Sequence, residues 1–434
     1  MIRHACLLFA VATLPLAARE APALPAALSA YQLDPAPVTS ALLLKKGDRL
    51  AICGDSITEQ KRYSVLIETY LTACLPELEI TCRQYGWSGE QAGGFLKRME
   101  SDVLRFQPTL ATTCYGMNDF RYVPYDEAIA SEYRQNQTAI VRAFKQIGCR
   151  VIVGSSGIID SVPKWVKSAK GTQQDLNLSL ARFRNVAVGT AKSENVAFAD
   201  VYQPMLLADH AAKQKYGPDF QVSGKDGVHP DWAGQVVMAY AFLKAMGIDG
   251  DLGTVTFDET TGKATAAGGH QILSAANGKI ALRSHKLPFS PGPGPADKDS
   301  SVQAGLALVP FHDELNRLTL RIAAPQAAGY TVTWGETSKN FTGEQLVAGI
   351  NLAKEFDANP LVAAFQKVQE AVTQKQTYET RQIKELAHGP EGAADPEATF
   401  ALTEKARAPL AKAVQTSLQP VEHSLTITRA APLQ

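Results

Sequence analysis

The stretch LAICGDSIT, Leu50 to Thr58, decides the reading of this chain. LAIC is a short apolar run of strand type and GDSIT follows it at once. Ser56 is therefore expected at the carboxyl end of a strand, on the turn into a helix. An exposed nucleophile belongs at such a place. A serine hydroxyl is a weak nucleophile at neutral pH, so it needs an imidazole to accept its proton and donors to hold the oxyanion that forms.

Outward from this strand, from about Asp48 to Gly247, short apolar runs alternate with amphipathic stretches. RLAIC is followed by YSVLIETYLTACL, LEITCRQY by GFLKRMESDVLRF, and LATTCY by a long helical stretch from Tyr125 to Ile147. RVIVG, a helical stretch over Leu176 to Glu194, VAFAD and a last helix from Pro230 to Met246 complete the series. Five strands alternating with helices predict an α/β fold, a parallel sheet covered on both faces with its reactive crevice at the carboxyl ends of the strands. The domain that this alternation forms is set at residues 40–250. Beyond it, residues 251–349 alternate β-prone pieces (TVTF, KIALRS, RLTLRIA, YTVTW) with turn residues and read as a small antiparallel β unit. Residues 350–434 read as a helical extension, an αα-hairpin rich in Gln, Lys, Glu and Ala that ends in a short strand, HSLTIT.

Composition narrows the function. The 434 residues hold 43 Lys plus Arg against 43 Asp plus Glu, so no broad basic surface exists for nucleic acid. At 45% hydrophobic and 20% charged, the chain can bury substantial cores. At the start, Arg3 and His4 precede an apolar run from Ala5 to Ala18, followed by an A-x-A at Ala21 to Ala23. This is the layout of a signal peptide over residues 1–23, which implies a secreted or periplasmic protein with no membrane span once mature. Five cysteines remain, Cys53, Cys74, Cys82, Cys114 and Cys149. An odd scattered set makes no disulfide framework, although a Cys74–Cys82 bridge stays open in an oxidising compartment.

The partners that Ser56 needs fall in the loops after later strands. DGVHP places Asp226 and His229 three apart before the last helix, so the carboxylate can hold Nδ1–H and leave Nε2 facing Ser56. SGEQ after the second strand offers the Gly89 N–H, and GMND after the third offers the Asn118 amide. With the Ser56 N–H these make three oxyanion donors. Asp55 and Asp119 beside them are expected to accept backbone N–H bonds rather than to do chemistry.

Taken together, GDSIT, SGEQ, GMND and DGVHP resemble the nucleophile, glycine, asparagine and acid–base blocks of the SGNH hydrolases, the GDSL esterases and lipases. The resemblance covers about Asp48 to Gly247. It implies a flavodoxin-like three-layer fold, Ser56 as nucleophile, Gly89 and Asn118 with the Ser56 amide as oxyanion hole, His229 as general base and Asp226 as its orienting acid. SGEQ departs from the commoner SGDT but keeps the glycine. The extension resembles those of some secreted bacterial members.

No G-x-S-x-G, H-E-x-x-H, Walker A or G-x-G-x-x-G occurs, so neither a metal nor another cofactor is expected. Trp87, Tyr115 and Trp232 are the expected substrate contacts, with Phe120, Tyr122, Tyr125 and Trp165 as further aromatic residues near the crevice. Export and aromatic loops suit a serine esterase removing short acyl groups, acetyl above all, from a small ester or an acetylated carbohydrate. The competing readings are a lipase or lysophospholipase with the same triad, and an inactive glycan-binding or scaffolding protein. A histidine base requires activity to rise through roughly pH 6 to 7.

Overall fold

The computed structural model describes residues 23–430; the expected signal peptide, but for its last residue, lies outside them. Five strands, β1 (Arg49–Gly54), β2 (Thr81–Gln84), β3 (Leu110–Cys114), β4 (Arg150–Gly154) and β5 (Ala197–Ala199), pair in parallel in the order β2-β1-β3-β4-β5. β3 is buried along its whole length and β1 beyond its first residue, which is why both read as continuous apolar runs rather than as alternating ones. Helices Tyr63–Cys74 and Trp232–Ala245 pack together as one layer, and Ala92–Asp102, Glu127–Gln146 and Gln173–Glu194 as the other. This is the expected three-layer α/β architecture, and the strand order reverses at β1, where loops after β1, β2 and β3 converge.

The region after residue 250 departs from its sequence reading in two ways. Arg317–Ala323 pairs in parallel with Asp251–Asp258, so the β unit is mixed rather than purely antiparallel. Strands of such similar apolar alternation carry no signal of relative direction. The last strand, Val421–Ala430, lies between Gly329–Trp334 and Lys279–Ser284 in one five-stranded sheet. The end of the helical extension thus completes a sheet begun by the β unit.

Between these strands, helices Val362–Arg381 and Pro396–Ser417 pack as the expected hairpin, and the first lies against helix Tyr63–Cys74 and the edge strand β2. The buried apolar residues form one continuous cluster from Leu28 to Ile427, so the parallel-sheet region and the extension share a core. The docked helix also buries polar side chains. Lys375 Nζ lies 3.1 Å from Glu68 and 2.8 Å from Glu379, Gln376 bonds Ser64 and Glu68, and Glu379 accepts the Gln84 N–H at 3.1 Å. An unpaired edge N–H of β2 is satisfied in this way.

All five described cysteines are buried free thiols, so the Cys74–Cys82 bridge does not form. Cys74 ends a helix and Cys82 sits inside β2, each enclosed by its own surroundings. Burial pushes both thiols well above their usual range, which disfavours the thiolate that disulfide exchange needs.

Candidate active site

The nucleophile turn is tightly built. Asp55 is the N-cap of the short helix Ser56–Glu59, its carboxylate accepting the Ile57 N–H at 3.0 Å, which places Ser56 on the first helical position. A Cβ on Gly54 would lie 2.1 Å from Thr58 Oγ1, so only glycine lets the strand turn this sharply into the helix. Ser56 Oγ, partly exposed, then lies 2.8 Å from His229 Nε2.

His229 is set by an Asx turn. Asp226 Oδ1 accepts the N–H groups of Val228 and His229 at 3.0 and 2.9 Å, and Oδ2 lies 2.6 Å from Nδ1 of the ring. Burial works to raise the Asp226 carboxyl, yet these N–H donors and the imidazole outweigh it and hold it below its ordinary value. The loop is tied to the serine turn by Arg62, 2.7 Å from Asp231, and by Gln235 Nε2, 2.8 Å from Gln60 Oε1.

The two remaining blocks are joined to each other. Asn118 Nδ2 donates to the Glu90 carbonyl at 3.2 Å and, at a longer 3.4 Å, to Asp55 Oδ2, while Gln91 donates to the Asn118 carbonyl at 3.0 Å. Asp119 accepts from the Gly116 and Ala92 N–H groups, both at 2.9 Å. Gly89 is exposed with φ +74°, a left-handed conformation that glycine adopts without strain. Burial raises the Asp55 carboxyl to about 7, repulsion from Asp119 and Glu90 adding to it; burial likewise raises Asp119 to about 6.

The GDSL-like lipase/acylhydrolase family model matches residues 52–237, which span all four blocks. Residues 52–237 form a domain of the SGNH hydrolase family. It is a carboxylic ester hydrolase. An acetylxylan esterase of Geobacillus stearothermophilus is 26% identical over 225 residues, 47% of this chain and 95% of that protein. Among solved structures, one described as a gut microbial diltiazem-metabolizing enzyme superposes with a TM-score of 0.71 at 21% identity. It covers 90% of this chain and 99% of its own, so the fold likeness includes the extension. The acetylxylan esterase Axe2 from Geobacillus stearothermophilus aligns at 24% identity over 48% of this chain and 97% of its own, with a TM-score of 0.40.

The hydrolase's aromatic residues are arranged differently from the sequence expectation. Tyr115 is not a substrate contact: it is fully buried, its hydroxyl donates to Glu90 at 2.9 Å and its ring packs on Phe95. A residue just beyond β3 faces the helical layer before the chain emerges at Asn118, so proximity in sequence misled. Trp87 and Trp232 are both partly exposed, but each is faced by a cation, Arg98 lying 5.0 Å from the Trp87 ring and Arg62 5.4 Å from that of Trp232. The aromatic ring beside the imidazole is Trp165, half exposed, with its centroid 5.9 Å from that of His229. Its position in the loop after β4 was the one available sequence signal. Among the described residues, no group of three or more His, Cys, Asp or Glu side chains could hold a metal ion, and no helix is long and apolar enough to cross a membrane.

Proposed function

We propose that the chain is an esterase that removes short acyl groups, acetyl above all, from carbohydrates, with Ser56, His229 and Asp226 as its triad. The observation that carries this reading is the contiguous chain Ser56 Oγ, His229 Nε2, His229 Nδ1, Asp226 Oδ2, with steps of 2.8 and 2.6 Å outside the ring. Ser56 Oγ attacks the ester carbonyl carbon as His229 Nε2 takes its proton. The N–H groups of Ser56 and Gly89 and the Asn118 amide hold the oxyanion, the long contact to Asp55 being the one that Asn118 gives up. Collapse of the tetrahedral species breaks the ester C–O bond, and His229 returns the proton to the leaving alcohol. Water then attacks the acyl-serine, its proton passes to His229, and the free acid leaves as Ser56 regains its hydrogen.

Acetyl as the acyl group and a sugar as the alcohol are supported by the likeness to an acetylxylan esterase and by Trp165, a half-exposed ring face beside the imidazole that suits a sugar ring. Residues 1–23 carry the export that brings the enzyme to extracytoplasmic polysaccharide; retention of the full-length precursor in the cytoplasm of the expressing cell contradicts this. The test of function is fluorophosphonate labelling of wild type and Ser56→Ala, with a panel of acetyl, butyryl and decanoyl esters and an acetylated xylooligosaccharide. Labelling lost in Ser56→Ala with preference for acetyl substrates is expected. Hydrolysis of decanoyl but not acetyl esters, or full activity in Ser56→Ala, overturns the reading.

A further inference from the structure

The space beside Gly89 is open, a Cβ built on it meeting nothing within 4 Å, and its turn is closed by the Glu90 N–H on the Trp87 carbonyl at 3.1 Å. The direction of its N–H therefore depends on how the flanking residues are held. On one side, Glu90 is fixed by a two-pronged contact with Arg98, at 2.6 and 2.7 Å. On the other, Ser88 gives both its N–H and its hydroxyl to a single carboxylate oxygen of Glu59, the hydroxyl at 2.6 Å. Glu59 belongs to the same helical turn as Ser56.

That carboxylate is in turn held from the C-terminal extension. Helix Val362–Arg381 runs into a π-helical turn, Gln382–Ala387, a rare local geometry that recurs at functional sites. The turn brings Lys384 Nζ to 2.8 and 2.9 Å from the two carboxylate oxygens of Glu59, across 325 positions of sequence. Both side chains are largely shielded, Lys384 26% and Glu59 19% exposed, so the pair is not of the solvent-screened kind that contributes little. Burial works to raise the Glu59 carboxyl, but Lys384 and the Ser88 donors outweigh it and keep it below its ordinary value. The same segment continues over Trp87, with the Lys384 ammonium 5.4 Å from its ring and the His388 ring edge-on at 4.9 Å, while His388 Nε2 lies 2.9 Å from Asp102.

We propose that Lys384 is a positioning residue of the ester hydrolysis: through Glu59 it fixes Ser88 and so aims the Gly89 N–H at the oxyanion, making the C-terminal extension a working part of the active site. The proposal rests on the roles of Ser56 and Gly89 proposed above. Lys384 touches neither substrate nor the reacting atoms. Its loss is therefore expected to misdirect one oxyanion donor rather than to remove it, a fraction of the hundred- to thousandfold cost, about, of deleting such a donor.

The test compares Lys384→Met, Lys384→Arg, Ser88→Ala and Ser56→Ala with wild type in steady-state hydrolysis of an aryl acetate, alongside thermal melting. Lys384→Met is expected to lower kcat about tenfold with KM changed less than twofold, and Lys384→Arg to recover most of the rate, because a cation is restored opposite Glu59. Wild-type kcat in a folded Lys384→Met overturns the proposal, as does a loss in KM alone. Should Lys384→Met not fold, Ser88→Ala decides: it keeps the backbone contact and loses only the hydroxyl, so a kcat decrease of a few-fold supports the clamp and an unchanged kcat overturns it. Residual wild-type activity in Ser56→Ala defeats the reading of the triad itself, whereas an inactive Ser56→Ala beside a fully active Lys384→Met defeats the clamp alone.

Discussion

Asp226 holds His229 at two points, its Oδ1 accepting the backbone N–H at 2.9 Å and its Oδ2 lying 2.6 Å from ring Nδ1. One carboxylate thus sets both where the residue sits and which ring nitrogen carries the proton. Asp226→Asn keeps the backbone contact but turns a donor toward Nδ1, so the favoured tautomer presents Nε2–H to Ser56 and no base remains. The expected result is a fall in kcat of about a thousand- to ten-thousandfold with the melting temperature nearly unchanged. An ester assay giving a rate within tenfold of wild type contradicts this.

Asp55 predicts a pH effect on stability. A carboxyl raised to about 7 in the folded state binds more protons folded than unfolded, where its value is about 3.9. Its contribution is therefore most favourable below about pH 4 and is lost progressively as pH rises toward 7. Asn at this position can still cap the helix by accepting the Ile57 N–H, but it cannot ionise. The melting temperature of Asp55→Asn should consequently gain on that of wild type between pH 5 and pH 8. Parallel melting curves that keep a constant offset across that range refute it.

Trp165 is half exposed, so it contributes more to what the crevice accepts than to folding. Trp165→Ala is expected to raise KM for an acetylated xylooligosaccharide about tenfold, near 1.4 kcal/mol, the scale of a lost ring contact. KM for an aryl acetate should move less than twofold. Equal changes on both substrates would show that the ring does not contact the sugar.

Lys375 tests whether the extension folds with the hydrolase region or beside it. It is 2% exposed between Glu68 and Glu379, the latter also held by Arg407 at 2.6 Å. Lys375→Met leaves a buried carboxylate pair short of a cation and is expected to cost about 3–5 kcal/mol. Denaturant unfolding should show one transition shifted as a whole. Two separated transitions, with only the later part of the chain destabilised, would contradict a shared core.

The legible part of the site was its local part. Asp55, Ser56, Asp226 and His229 each lie within three residues of the backbone groups that fix them, so turn chemistry at the end of a strand betrays them. Tyr115 shows the limit of such reasoning: adjacency to GMND suggested a surface role, but the pleat directs it inward to Glu90. Helix Val362–Arg381 shows it again. Lys375, Gln376 and Glu379 look like a solvated face, and they are buried because β2 and the helix Tyr63–Cys74 offer matching polar groups.

The order of strands and helices from Asp48 to Gly247, and the four polar blocks at the strand ends, follow from sequence alone, because periodicity and turn residues act over a few positions. Only the tertiary structure decided that the final strand closes a sheet with Gly329–Trp334 and Lys279–Ser284, that Cys74 and Cys82 stay apart, and that Lys384 reaches Glu59. Those pairings join residues brought together by the packing of whole layers, and a contact across hundreds of positions leaves no local pattern from which it could be read.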